Sequence, residues 1–276
     1  MSILLGVIVG MVLGLTGAGG SIFAVPLLMA GHGWPITQAS TVSLLAVAVA
    51  AAVGAWMAWR HSYVRYRAAT LMAVVGILVA PAGIRVADGL PPSLLMMIFA
   101  AVLTIVAVRM FYMAVVSKAD AAVVRATVAG EGEPAQGKVC KLNAATGRLI
   151  WTWPVAATIG LIGATTGFLS GLLGVGGGFV IVPALRATTP LSMHSAVATS
   201  LMAIALTSLG TVVSGVLQGR SLPLAVALPF VAGAVIGMAL GRLVAPRIAG
   251  PRLQQGFAVM AMLVSLGMAA HVAAWI

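Results

Sequence analysis

The sequence predicts an all-α polytopic membrane protein built from two homologous repeats, each a Gly/Pro-broken segment followed by three transmembrane helices. Three observations carry that expectation. Hydrophobic residues make up 62% of the 276 and charged residues only 7%, with a mean hydropathy of +1.16, too few charges to cover a soluble surface. The apolar residues fall into about eight segments of roughly 20 residues or more, the length that crosses a hydrocarbon core of about 30 Å. Two glycine-rich stretches, Gly14-Leu15-Thr16-Gly17-Ala18-Gly19-Gly20 leading to Pro26 and Gly171-Leu172-Leu173-Gly174-Val175-Gly176-Gly177-Gly178 leading to Pro183, repeat one another.

The first segment, Ile3 to Ala30, is apolar but broken at its glycines. Its start lacks the basic residues of a removable signal peptide. Ala39 to Trp59, Ala68 to Val86 and Leu94 to Val116 follow, so residues 1–116 form the first membrane repeat. Residues 117–150 mix Lys, Arg, Glu, Gly and Pro without sustained apolar periodicity, which reads as a polar cytoplasmic linker, helical at most in part. The second repeat, 151–276, comprises the broken segment Trp151 to Ala187, then Ser195 to Leu217, Leu222 to Ala245 and Leu253 to Ile276.

The halves align without a gap at an offset of 157: Gly10, Gly17, Pro26, Ser43, Gly76 and Arg85 meet Gly167, Gly174, Pro183, Ser200, Gly233 and Arg242. A shared spacing over so long a stretch argues for duplication. Charge argues for inversion. Arg60, Arg65 and Arg67 follow the second segment and Lys118, Arg125, Lys138, Lys141 and Arg148 the fourth, which puts both regions in the cytoplasm. If the fifth segment turns back at its glycines, Arg186, Arg242, Arg247 and Arg252 also lie inside and only Arg220 outside; if it crosses once, the balance reverses. The hairpin therefore fits better, and three spans per half then invert the second repeat.

A break at membrane depth persists only where protein or a water-filled cavity shelters the freed backbone groups, so paired breaks point to a transport site. Gly17, Gly19 and Gly20, with Gly174, Gly176, Gly177 and Gly178, allow close backbone approach, and Pro26 and Pro183 each remove a donor six residues on. Freed N–H groups at a half-helix start make an anion site without a charged side chain. Close helix packing is the competing reading. Thr16, Ser21, Ser40, Thr41 and Ser43 in one half, and Ser170, Thr199 and Ser200 in the other, are candidate oxyanion donors; each could instead bond back to its own helix. Arg85 and Arg242 either snorkel to headgroups or form anion-attracting vestibules on opposite faces. Asp88, the one acid near a span, lies close enough in sequence to pair with Arg85. Arg109 and Arg186 read as topology anchors, His32 and His194 as interfacial residues.

The duplicated G-x-x-G-x-G-G-x-x-x-x-x-P signature, followed by Ala198-Thr199-Ser200-Leu201 and a glycine-rich seventh segment, resembles the sulfite exporter TauE/SafE family of membrane permeases. The resemblance covers nearly the whole chain and implies a multipass inner-membrane exporter of sulfite, sulfoacetate or related sulfur-containing anions. Thr41-Val42-Ser43-Leu44 stands in the first copy where the second has Ala198-Thr199-Ser200-Leu201, a departure that argues against equal roles.

Other classes fit less well. Leu169-Ser170-Gly171 lacks the G-x-S-x-G frame of a serine hydrolase. A cation permease would ring its pore with acids, and the chain has only Asp88, Asp120, Glu131 and Glu133 against 15 Lys and Arg, a net charge of +11. That charge is scattered between spans, as expected for loops against anionic lipid rather than for nucleic acid. The lone Cys140 excludes an internal disulfide and a cysteine metal cluster. The expected partners are a small anion and the bilayer, with no cofactor, metal or nucleic acid; a homo-oligomer is compatible with the sequence.

Overall fold

The computed structural model describes residues 1–17, 20–59, 64–127, 151–189, 193–244, 256, 259 and 261–268. Among them the regular structure is helical throughout: α1 (Ser2–Thr16), α2 (Ser21–His32), α3 (Ile36–Trp59), α4 (Tyr66–Gly89), α5 (Pro92–Thr127), α6 (Trp153–Leu173), α7 (Gly178–Thr188), α8 (Met193–Leu217) and α9 (Leu224–Val244), with a further helical stretch at 261–268. Six helices are long and apolar enough to cross a membrane: Ile36–Trp59, Tyr66–Gly89, Pro92–Arg109, Trp153–Leu173, Ser195–Leu217 and Leu224–Val244. Most of the segment Leu253 to Ile276, the linker from 128 to 150, and the expected cytoplasmic residues Arg247 and Arg252 lie outside the described residues.

The first broken segment is a hairpin. Gly17 caps α1 in the left-handed conformation, φ 74°, its N–H donating to Leu13 O at 2.7 Å. The chain then doubles back, so that Ser2 Oγ at one end of the pair hydrogen-bonds His32 Nε2 at the other, 3.0 Å away. At 15 and 12 residues, neither arm reaches the roughly 20 residues of a full span. The second broken segment also bends at its glycines: α6 ends at Gly174, φ 71°, and Gly177 brings the start of α7 against Thr166 on α6.

Each hairpin's first arm packs on a helix of the other half. Gly6, Gly10 and Gly14 lie on the backbone of α9, where an added Cβ would run into the Phe230, Ala234 and Met238 carbonyls. Gly163, Gly167 and Gly171 meet the Met72, Gly76 and Ala80 carbonyls of α4 in the same way. Without a hydrophobic force between helices in lipid, such close small-residue packing supplies van der Waals attraction. α3 and α8 cross at the centre and are the most buried spans. The outer face is apolar, with Leu78, Ile105 and Leu161 exposed where lipid lies. α5 continues eleven residues past Val116, because Ser117 to Thr127 contains alanines and no Gly or Pro to stop it.

Candidate functional site

The hairpin tips dock near the starts of the two central helices, again crosswise. At the first tip, Gly17 sits against Val197 of α8, and Ser200 Oγ donates to Val197 O at 2.8 Å and reaches Gly17 O at 3.4 Å. At the second, Gly174 sits against Ser40 of α3. Val197 and Ser40 are themselves 157 positions apart. Sequence order placed Ser40, Thr41 and Ser43 beside the first break; the structure sets Ser40 on the second, because the tips exchange partners across the centre.

The second tip holds three left-handed glycines, Gly174, Gly176 and Gly177, at φ 71°, 67° and 64°. An added Cβ at Gly176 would lie 2.8 Å from Ser208 Oγ and 3.0 Å from Val47 Cγ1. Ser208 and Ser43 are fully buried, and neither hydroxyl has a hydrogen-bond partner. Close by, Ser170 Oγ lies 3.4 Å from Thr211 Oγ1. Thr211 spends its proton on Thr207 O at 2.7 Å, so Ser170 is the donor in that pair.

Several candidates take the local bond instead. Thr16 donates to Val12 O, and Ser40 and Thr41 both donate to Thr37 O. Thr199 Oγ1 accepts the Arg65 N–H at 3.1 Å. Ser21 is buried at the start of α2, Gly20 packs on the Leu13 backbone, and Pro26 and Pro183 lie inside the short return helices. Gly178 is the first residue of α7. Gly19 lies outside the described residues, as do the side chains of Arg186 and His194.

The repeat-matched arginines differ. Arg85 is exposed on α4. Arg242 is part-buried and donates from Nη2 to Gly54 O at 3.1 Å, with its Nε buried and unpartnered. Asp88 does not pair with Arg85. Its Oδ1 takes the Arg220 guanidinium at 2.6 Å, because Arg220 reaches across from the end of α8 and is held beside Asp88 by the Ile84 carbonyl. Arg65 and Arg242, each with a buried unpartnered Nε, stand at the end where α3 and α9 finish and α4 and α8 begin. Ser208 and Thr211 escaped the sequence reading because their mates at the offset are Ala51 and Gly54, so repeat matching carried no signal for them.

A hydrophobic scaffold with two glycine-broken hairpins docked crosswise now has a counterpart among known proteins: residues 2–268 match the family described as Sulfite exporter TauE/SafE. The chain belongs to this family. A TauE/SafE member is a membrane transporter, and the multipass architecture follows from it. A probable membrane transporter protein of Xylella fastidiosa strain 9a5c is 30% identical over 252 residues, covering 90% of this TauE/SafE chain and 85% of the relative; its counterpart in strain Temecula1 is 29% identical over the same length and shares. A probable membrane transporter protein of Methanocaldococcus jannaschii is 35% identical over 99 residues, 32% of this chain and 37% of the relative. No solved structure matches.

Proposed function

We propose that this TauE/SafE protein exports small sulfur-containing oxyanions, such as sulfite or organosulfonates, across the inner membrane through the region between its two hairpin tips. The observation that carries the reading is the second tip, where left-handed glycines and buried serine hydroxyls meet without a charged side chain. Neutral donors hold an anion weakly enough to release it, which conduction requires. The exchanged glycine packing and the hairpin geometry further support two repeats of inverted orientation, the architecture that places a substrate site at the repeat interface. Arg65 and Arg242 supply positive potential at one end. A negative cell interior then favours outward movement by about 2.3 kcal/mol per charge per 100 mV.

The donors do not select sulfur, so a permease for another small anion or metabolite is the second reading. Flux from proteoliposomes loaded with sulfite, an organosulfonate, thiosulfate or chloride separates the two. We expect sulfite or the sulfonate to leave at least tenfold faster than from equally loaded protein-free liposomes. Chloride alone moving would favour the second reading, and no anion moving would overturn both.

A further inference from the structure

We propose that the transported anion is bound at one tip only, in a cup formed by Ser43, Ser208 and the start of α7, and that the matching place at the first tip has lost this capacity. The inference rests on the anion-export reading above and names its site. A buried hydroxyl without a partner costs about 1–3 kcal/mol, and Ser43 and Ser208 carry two such hydroxyls. Ser208 Oγ lies over the Gly176 backbone, near enough that even a Cβ there would crowd it at 2.8 Å. Ser43 stands on α3 between Ser40, which packs on Gly174, and Val47, which packs on Gly176. Spacings of three and four residues keep all three on one helix face, so Ser43 faces the same turn.

The turn itself is suited to an anion. Gly177 caps α7 without a side-chain hydrogen bond; the Val180 N–H serves Gly177 O at 3.1 Å, and the positive helix end, equivalent to roughly half a charge, carries no side-chain cap. Gly177 in the left-handed region followed by helical Gly178 gives the alternation of backbone hand that forms an anion nest. In the conformation described, Gly176 rests against Ser208; an oxyanion enters as the tip lifts, and its oxygens replace the missing partners of both serines.

At the first tip α2 likewise starts without a side-chain cap, but the two unpartnered hydroxyls have no equivalents there. The counterpart of Ser43 is Ser200, whose hydroxyl already serves Val197 O and Gly17 O. The counterpart of Ser208 is Ala51, which has no hydroxyl. The tips differ in backbone as well as in donors, since Gly20, the counterpart of Gly177, is right-handed at φ −61° where Gly177 is left-handed at φ 64°.

Sulfite binding to the purified full chain in detergent, read by calorimetry beside sulfite flux in proteoliposomes, tests this. Ser43→Ala and Ser208→Ala are each expected to weaken sulfite binding by about tenfold or more, as expected for a lost hydrogen bond to a charged ligand. Thr207→Ala is the control: its hydroxyl is bonded to Ala203 O and its methyl faces Gly76, away from the cup, so binding should stay within twofold of the parent. Should Ser208→Ala not fold, Ser208→Cys keeps the site filled with a somewhat larger group, weakens the donor and is expected to show the same direction. Wild-type affinity in both serine variants with sulfite flux intact would overturn the cup while leaving export standing. Neither binding nor flux of any sulfur oxyanion in the parent protein would overturn the export reading itself. Stabilisation by sodium gluconate that choline chloride does not reproduce and that is lost in Ser43→Ala, with no response to sulfite, would make the cup a cation site and overturn the inference.

Discussion

At the scale of single residues, glycines of one composition do different work, and only geometry separates them. Gly10 and Gly167 lie on the backbone of a neighbouring helix, whereas a Cβ added to Gly160 meets nothing within 4 Å. Gly10→Ala and Gly167→Ala should each lower stability by about 1–3 kcal/mol, the usual cost of overpacking. Gly160→Ala should be neutral or stabilising by up to about 1 kcal/mol, since alanine is the better helix former. Thermal melting in detergent, compared across the three variants, checks the sign of each. The sequence announced the repeated glycines because their spacing recurs; it could not say which backbone each faces. The Asp88–Arg220 pair was illegible for a related reason: its members are 132 residues apart, while Arg85 stood three positions away from Asp88.

At the scale of elements, a glycine cluster reads from sequence as a break, and the distribution of arginine was needed to argue that the chain turns back there. The Ser2–His32 contact gives that turn its geometry in the first hairpin. With α1 and α2 returning to their starting side, α3 and α4 each change sides, so Ala30 and Gly89 share one face and Arg67 faces the other. Cysteines introduced singly at these positions, after replacement of Cys140, should show it. A membrane-impermeant thiol reagent added outside intact cells is expected to label Ala30→Cys and Gly89→Cys, and Arg67→Cys only after permeabilisation. Labelling of Arg67→Cys in intact cells would require a different fold of the first segment. The length of α5 was the element least legible in advance: Lys118, Asp120 and Arg125 look like loop composition, yet charged residues among alanines sustain a helix once its apolar part has nucleated it.

At the scale of the whole molecule, the class of the protein was legible from hydropathy alone, because the bilayer imposes a length and polarity rule on every span. What carries through the centre was less so, since serine and threonine are common in membrane helices and only the fold distinguishes Ser43 and Ser208, unpartnered, from Thr16 and Thr41, bonded to their own turns. The charge balance gives a prediction at this scale. Asp88, the acid whose side chain is described, is paired with Arg220, so no free carboxylate stands among the described side chains to relay a proton, and anion efflux should follow voltage. In proteoliposomes at fixed pH, a potassium–valinomycin potential of 100 mV, negative inside, should raise anion efflux severalfold over zero potential, from a driving force of about 2.3 kcal/mol per charge. Flux that ignores voltage and follows a pH gradient would instead require electroneutral movement with a proton.

The crosswise packing of the first hairpin also sets a timetable for biogenesis. Gly6 and the Phe230 carbonyl it rests on are separated by 224 positions (230 − 6), so α1 emerges from the ribosome roughly 10–45 s before α9 at about 5–20 residues per second. During that interval an arm too short to span has its backbone-contact face without its partner, and contacts of such sequence separation are intrinsically slow to form. A chain stopped before α9 is accordingly expected to leave its first hairpin without its packing partner and more open to proteolysis than in the full chain.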